Sequence, residues 1–306
     1  MESQTIKTQT ITTNTLKHSQ SSFTLIELLV VIVIIGTLAG MIFVNVSGVI
    51  ERAKIARSLQ FSDSLRNALI MNLVSEWKFD ENSGTTAKDS WGGNNGTLVN
   101  GPTWKTGGDC VSGSCLQFDG SDDYVELPTS ALGNWNELTY EVWVKAPQYA
   151  GSLWPAFIGS YTTGTSYNNQ FGIWQNTNHL HLEVDTNIGN YPMQGQLSIP
   201  WNTWFHAVMV YNGSKLTEYI NGVAGKSISA SGNLKSVTKL RIGDIGNMNF
   251  FNGFIDEVRI YNAALPTAQI QQHYAEGLKS LLANNAITEQ EYAQRISDFN
   301  QILVKN

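Results

Sequence analysis

Two hydrophobic periods divide the chain. From Phe23 to Val46 the residues are apolar almost without interruption, and the one charge, Glu27, lies near the start. About 20 apolar residues in a helix cross a hydrocarbon core of ~30 Å, so this stretch is read as a membrane-spanning segment. A carboxylate in such a segment is costly and calls for a partner. Gly36 and Gly40, in G-x-x-x-G spacing, would let a second helix approach closely. Beyond the apolar run, Ile50, Ala53, Ile55, Leu59, Leu65, Ala68, Leu69 and Leu73 recur at three- and four-residue steps with no proline. The pattern predicts one helix from Phe23 to about Leu73, apolar in its first half and amphipathic in its second.

From Glu76 the period changes. Short apolar or alternating runs recur between Gly, Asn, Ser and Thr, predicting strands at 77–79, 116–118, 124–127, 138–145, 156–160, 171–175, 180–185, 204–211, 215–220, 239–243 and 253–261. Asn221-Gly222 and Asn212-Gly213 are hairpin-turn pairs. In 138–145, Leu138, Tyr140, Val142 and Val144 fall on one face and Trp143 on the other, as expected of an inner strand. After Asn262 the helical period returns. Pro266 opens one helix, Asn284-Asn285 ends it, and Thr288 with Glu291 forms a capping box for another. The expected fold class is α+β: a long N-terminal helix, an antiparallel β-sandwich of jelly-roll type, and a C-terminal helical hairpin.

Composition changes this picture only in part. Charged residues make up 14 %, while 9 Trp, 11 Tyr, 12 Phe and 27 Gly suit a β-rich exported domain better than a cytosolic enzyme. The net charge is −6 and its acidic excess falls after residue 75, which argues against nucleic acid as the main partner. Cys110 and Cys115, in DCVSGSC, predict a local disulfide and an oxidising compartment. The five histidines show no metal-ligand spacing. Asp80, Asp89, Asp119, Asp122, Asp123 and Asp256 sit in loops or at strand ends, and oxygen-rich groups of this kind suit calcium. No G-x-S-x-G, H-E-x-x-H or P-loop occurs.

Two resemblances add to this reading. Ser22-Phe23-Thr24-Leu25-Ile26-Glu27-Leu28 resembles the processing site of type IV prepilins and of the pseudopilins of type II secretion. The resemblance implies cleavage by a prepilin peptidase between Ser22 and Phe23, N-methylation of Phe23, and a role for Glu27 in meeting a neighbouring subunit during assembly. The family has Gly before the cut, where this chain has Ser22. Residues 1–22, polar and carrying Lys7 and Lys17, are then a leader, and residues 23–75 a pilin-like transmembrane and stalk helix.

The second resemblance covers roughly 76–262. It rests on WKFDENSG, KDS, LQFDG, WFHAV, EYING and FIDEVRIYN, and is to laminin-G-like, concanavalin A-type domains. It implies two packed antiparallel sheets with the first and last strands adjacent, calcium as a cofactor, and a role in binding glycans or as a spacer. Asp80 and Asp256 on those adjacent strands, with Asp89, are the expected calcium ligands. Jelly-roll glucanases carry three carboxylates on one strand; here Glu183-Val184-Asp185 lacks the third, so no catalytic residue is expected.

Among Trp154, Tyr161, Tyr167, Trp174, Tyr191 and Trp201, glycan stacking is assigned to Trp174, facing His179 and His181. Trp143 and Trp204 are assigned to the core. Residues 263–306 include LLANNAITEQEYAQRISDFNQIL, which resembles a short helical motif found at C-termini, where it mediates protein contacts; shielding of the sandwich edge is the other reading.

The functional expectation is a pilin-like subunit of a surface or secretion filament, displaying a lectin-like head for adhesion or for carbohydrate or protein binding. The alternative is a pseudopilin whose head contacts cargo or other subunits. Expected partners are other pilin-like subunits, a prepilin peptidase, the membrane, and a glycan or surface protein. The protein is expected to pass the membrane once before assembly, with its head exported to a surface filament or an envelope pseudopilus.

Overall fold

A computed structural model describes residues 24–35, 72–149, 151–162, 167–173, 177–246 and 249–305. The chain forms two compact units, Met1–Ser62 and Asp63–Asn306. In the first, residues 25–35 are helical (α1) and their apolar side chains are exposed. Thr24 and Glu27 cap this helix reciprocally. The Thr24 N–H and hydroxyl donate to Glu27 Oε2 at 2.8 and 2.9 Å, and the Glu27 N–H donates to Thr24 Oγ1 at 3.3 Å. Among the described residues no helix is long and apolar enough to cross a membrane. Half of the span expected from Phe23 to Val46, and nearly all of the amphipathic continuation before Leu73, lie outside the described residues.

The second unit is a β-sandwich. One sheet runs β14 (Val223–Ser229), β13 (Lys215–Ile220), β12 (Phe205–Tyr211), β7 (Leu138–Lys145), β16 (Asn252–Tyr261), β5 (Ser114–Asp119), β4 (Thr103–Thr106), and β1 (Leu73–Trp77) also pairs with β16. The other runs β11 (Asn190–Ser198), β10 (His179–Asp185), β9 (Tyr167–Ile173), β8 (Ala156–Tyr161), β15 (Lys239–Ile242), β6 (Tyr124–Leu127), β3 (Gly96–Val99), β2 (Thr86–Ala87). All named pairings are antiparallel, and the first and last strands are adjacent, Trp77 opposite Val258. The first strand begins at Leu73, ahead of the expected start of the sandwich at 76.

Alternation decides which side chains enter the core. On β7, Leu138, Tyr140, Val142 and Val144 join Phe157, Phe171, Leu182 and Phe205 in the main apolar cluster. Trp143 points the other way, into a second cluster with Trp204, Tyr274, Leu278, Leu281 and Phe299. That second cluster exists because two C-terminal helices, α2 (Thr267–Ala283) and α3 (Glu289–Lys305), cover the outer face of the first sheet. The helical hairpin thus shields a face of the sandwich rather than its edge. Gly277 permits the approach: a Cβ there would lie 2.1 Å from Trp143 Cζ2.

Polar groups lock the same contact. Glu141, on β7 beside Trp143, is fully buried, accepts from His206 Nε2 of β12 at 2.7 Å, and meets His273 Nδ1 of α2 at 2.9 Å. Arg259 of β16 lies 3.6 Å from it and also pairs with Glu76 and Glu257. Burial alone would raise the Glu141 carboxyl. The charge of His273 and hydrogen bonds from both histidines outweigh this and hold it well below the usual carboxylate range. Burial pushes the His206 imidazole down, against the pull of Glu141.

With its folded pKa below the unfolded value of 6.5, His206 favours the folded state above that pH, and this contribution is lost as pH falls. Glu141 acts in the same sense at lower pH, while the raised pKa values of Asp256 and Glu257 act in the opposite one. The melting-temperature advantage of the wild type over His206→Gln should therefore shrink between about pH 7.5 and about pH 5.5. An advantage that grew on acidification would show that His206 is charged in the folded protein.

Candidate functional site

The second sheet keeps its outer face free of the C-terminal helices, and polar residues concentrate there. On β10, Leu180, Leu182 and Val184 face the core, so His179, His181, Glu183 and Asp185 face outward. His181 Nε2 lies 3.0 Å from Glu183 Oε2, and Asn190 Nδ2 of β11 donates to Glu183 Oε1 at 2.8 Å. The segment before β8 folds over β9. A Cβ on Gly172 would lie 2.1 Å from the Pro155 carbonyl oxygen, so only glycine allows this crossing.

The crossing brings the Trp154 ring to 6.1 Å from His181. Gln170 Nε2 donates to the Trp154 carbonyl at 2.9 Å, and the Trp154 N–H donates to Asn249 Oδ1 at 3.2 Å. Two donors of this patch, Trp154 Nε1 and Asn249 Nδ2, are buried and have no acceptor among the described residues. Leaving a buried donor unpaired costs about 1–3 kcal/mol, so such groups ask for a partner.

The expected ligand residues are placed as follows. Trp174 lies outside the described residues. His181 is buried against Glu183 and Trp154, while His179 turns its Nδ1 to the Leu197 carbonyl at 3.1 Å and braces β11. Tyr191 and Trp201 pack on the core. The Tyr161 ring faces Arg241, which stacks more closely on Tyr124 and pairs with Glu126 and Asp244. Trp154, one of several aromatics read from the sequence, is the one that joins the polar patch. Glu183 and Asn249 were not among the expected site residues. Alternation along β10 already places Glu183 on the same side as His181, but nothing in the sequence brings Asn249 across to β8.

Asp80, Asp89 and Asp256 do not converge on one point. Asp89 accepts backbone N–H groups from Glu76, Trp91, Gly92 and Asn94. Burial would raise its carboxyl, but these bonds outweigh it and hold the pKa below the usual value. Asp80 accepts the Ser114 N–H at 3.1 Å. Asp256 is fully buried and accepts N–H groups from Val111, Ser112 and Glu257; burial and the neighbouring Glu257 push it well up. Each acts as a backbone staple. Cys110 and Cys115 are joined, with Cα atoms 5.4 Å apart, and close the loop that Asp256 holds.

Among the described residues, the group of three or more metal-ligating side chains whose donor atoms come within 4.8 Å of one another is Asp119, Asp122 and Asp123, at the turn from β5 to β6. Burial and the charges of Asp119 and Asp122 raise the Asp123 carboxyl, against a hydrogen bond from the Asp119 N–H. An all-oxygen donor set under like-charge strain fits a hard cation. Ser22 and Phe23 lie outside the described residues. Glu27, in α1, is engaged by its own helix cap.

A family model for the concanavalin A-like lectin/glucanases superfamily matches residues 119–271, half of the chain. The chain belongs to this superfamily. A second model, the prokaryotic N-terminal methylation motif, matches residues 17–43. No curated protein matches the sequence.

Solved structures share the fold at low identity. The binding domain of Paraclostridial mosquitocidal protein 1 has a TM-score of 0.55 at 17 % identity over 69 % of this chain and 53 % of that one. Domain 4 of an extracellular arabinanase from Geobacillus stearothermophilus, solved in complex with arabinotriose, has 0.53 at 22 % over 66 % and 97 %. The receptor-binding domain of botulinum neurotoxin mosaic serotype C/D has 0.53 at 15 % over 69 % and 52 %. The match spans about half the length of the two toxin domains.

Proposed function

We propose that the protein is a pilin-like filament subunit whose head binds glycans through the outer face of its second sheet, without catalysing a reaction. The carrying observation is the pair of buried, unpaired donors, Trp154 Nε1 and Asn249 Nδ2, beside His181 and Glu183. Sugar hydroxyls are acceptors as well as donors, and an indole beside them offers an apolar face to ring C–H groups. The arabinotriose-bound arabinanase domain supports this reading by its shared fold.

Calcium is the ion proposed for the head, and Asp119, Asp122 and Asp123 are the residues proposed to hold it. The test is a glycan array on the whole chain in detergent, followed by titration of the best ligand. Trp154→Ala should weaken binding at least tenfold, about 1.4 kcal/mol, with little change in melting temperature. Calcium added after chelation should raise the melting temperature of the wild type and not that of Asp122→Asn. Failure of the wild type to bind any glycan would favour a secretion pseudopilin whose head contacts protein. The absence of a calcium-dependent shift would remove calcium from the account.

For the anchor, the methylation-motif match over 17–43 supports cleavage between Ser22 and Phe23, followed by lateral assembly with other pilin-like subunits through Glu27. In this reading Glu27 leaves its cap on Thr24 for a neighbour's terminal amine, exchanging one set of hydrogen bonds for a stronger, charge-assisted one. Mass spectrometry of protein from membranes should find an N-methylated Phe23 terminus. An intact Met1 terminus would contradict processing.

A further inference from the structure

Helix α2 does not close fully on the sheet beneath it. Beside β1 and β16 a cleft of about 220 Å³ remains, lined by Glu76 and Arg259 from the sheet, Gln269, His273 and Glu276 from the helix, and Trp91 from the loop after β2. It lies on the opposite side of the sandwich from Trp154, so it is a separate place.

Three features make it a place for a ligand. Trp91 is 50 % exposed. Its loop is nevertheless pinned, because the Trp91, Gly92 and Asn94 N–H groups all donate to the Asp89 carboxylate at 2.9–3.0 Å. A large aromatic face presented to water from a fixed loop is a stacking platform whose backbone has little ordering cost left to meet on binding.

The cleft is also rich in acceptors. The Arg259 guanidinium is committed to Glu76, Glu257 and Glu141, and His273 Nδ1 to Glu141. Glu276 is exposed, and its Oε1 accepts from Gln272 at 2.9 Å. Gln269 is only 7 % exposed; its Nε2 lies 3.3 Å from His273 Nε2, and its Oε1 has no partner among the described residues. A buried acceptor of this kind requires a donor. Of the two carboxylates that line the cleft, Glu76 is paired with Lys78 and Arg259 and Glu276 has no ion-pair partner among the described residues, so the missing donor is best supplied by a ligand that also carries a positive charge. The volume is below the ~300–1,000 Å³ of drug-sized sites and suits a single ring.

We propose that this cleft binds an amino-sugar unit, its ring stacked on Trp91, its ammonium toward Glu276 and a hydroxyl donating to Gln269 Oε1. The site is independent of the glycan patch around Trp154. The probe is the β-1,4-linked glucosamine tetramer, titrated calorimetrically into the whole chain in detergent, with its fully N-acetylated counterpart as comparison. The amine form should bind saturably and at least tenfold more tightly than the acetylated form. Trp91→Ala and Glu276→Gln should each weaken it tenfold or more, whereas Trp154→Ala should leave it unchanged. Glu276 is exposed, so its Gln variant decides the matter even if Trp91→Ala loses stability. No saturable binding, equal affinity for the two tetramers, unaltered binding in Glu276→Gln, or a loss confined to Trp154→Ala would each overturn the proposal.

Discussion

The structure of the head depends on one buried charge. Glu141 sits where the first sheet meets helix α2, and a carboxylate there is tolerable only because His206, His273 and Arg259 surround it. Its partners come from three elements distant from it in sequence, so satisfying the charge also fixes where α2 lies. Trp143, two residues on and on the same face, then packs on Tyr274 and against Gly277. Apolar packing supplies the area of this contact, and the buried charge supplies its register.

That docking divides the labour between the two faces of the sandwich. The outer face of the first sheet is covered by α2 and α3, and the cleft beside Trp91 is one of the openings left between them. The outer face of the second sheet keeps His181, Glu183 and Trp154 together, with donors left over. Carboxylates do two kinds of work in the same fold. Asp89, Asp256 and Glu218 each accept several backbone N–H groups and hold loops or edge strands in place. Asp119 and Asp123 also accept backbone N–H groups but crowd each other and Asp122, and Glu276 reaches water.

Much of the fold was legible because alternation is a local signal. Strands β6, β7 and β13 match their expected limits, and Trp143 and Trp204 are buried as assigned. Strands β11 and β14 were missed because both border their sheets and expose much of their length, so neither carries a clean apolar alternation. The expected helical hairpin is present, but its seat was not legible: pairing Glu141 with His273 needs contacts across 132 positions. The same limit explains the carboxylates. Residue type marked Asp80, Asp89 and Asp256 as ligands, yet whether an acid meets a cation or a row of N–H groups is decided by the loop around it.

The central claim joins an assembling N-terminus to a glycan-binding head in one chain, and sheared surface filaments test it most directly. Filaments carrying this protein should be retained on beads coated with the glycan that the head selects, and released by the same oligosaccharide in free form. Filaments bearing Trp154→Ala should pass through while remaining intact. Recovery of the protein only from the cell envelope, or retention of wild-type and variant filaments alike, would contradict the account.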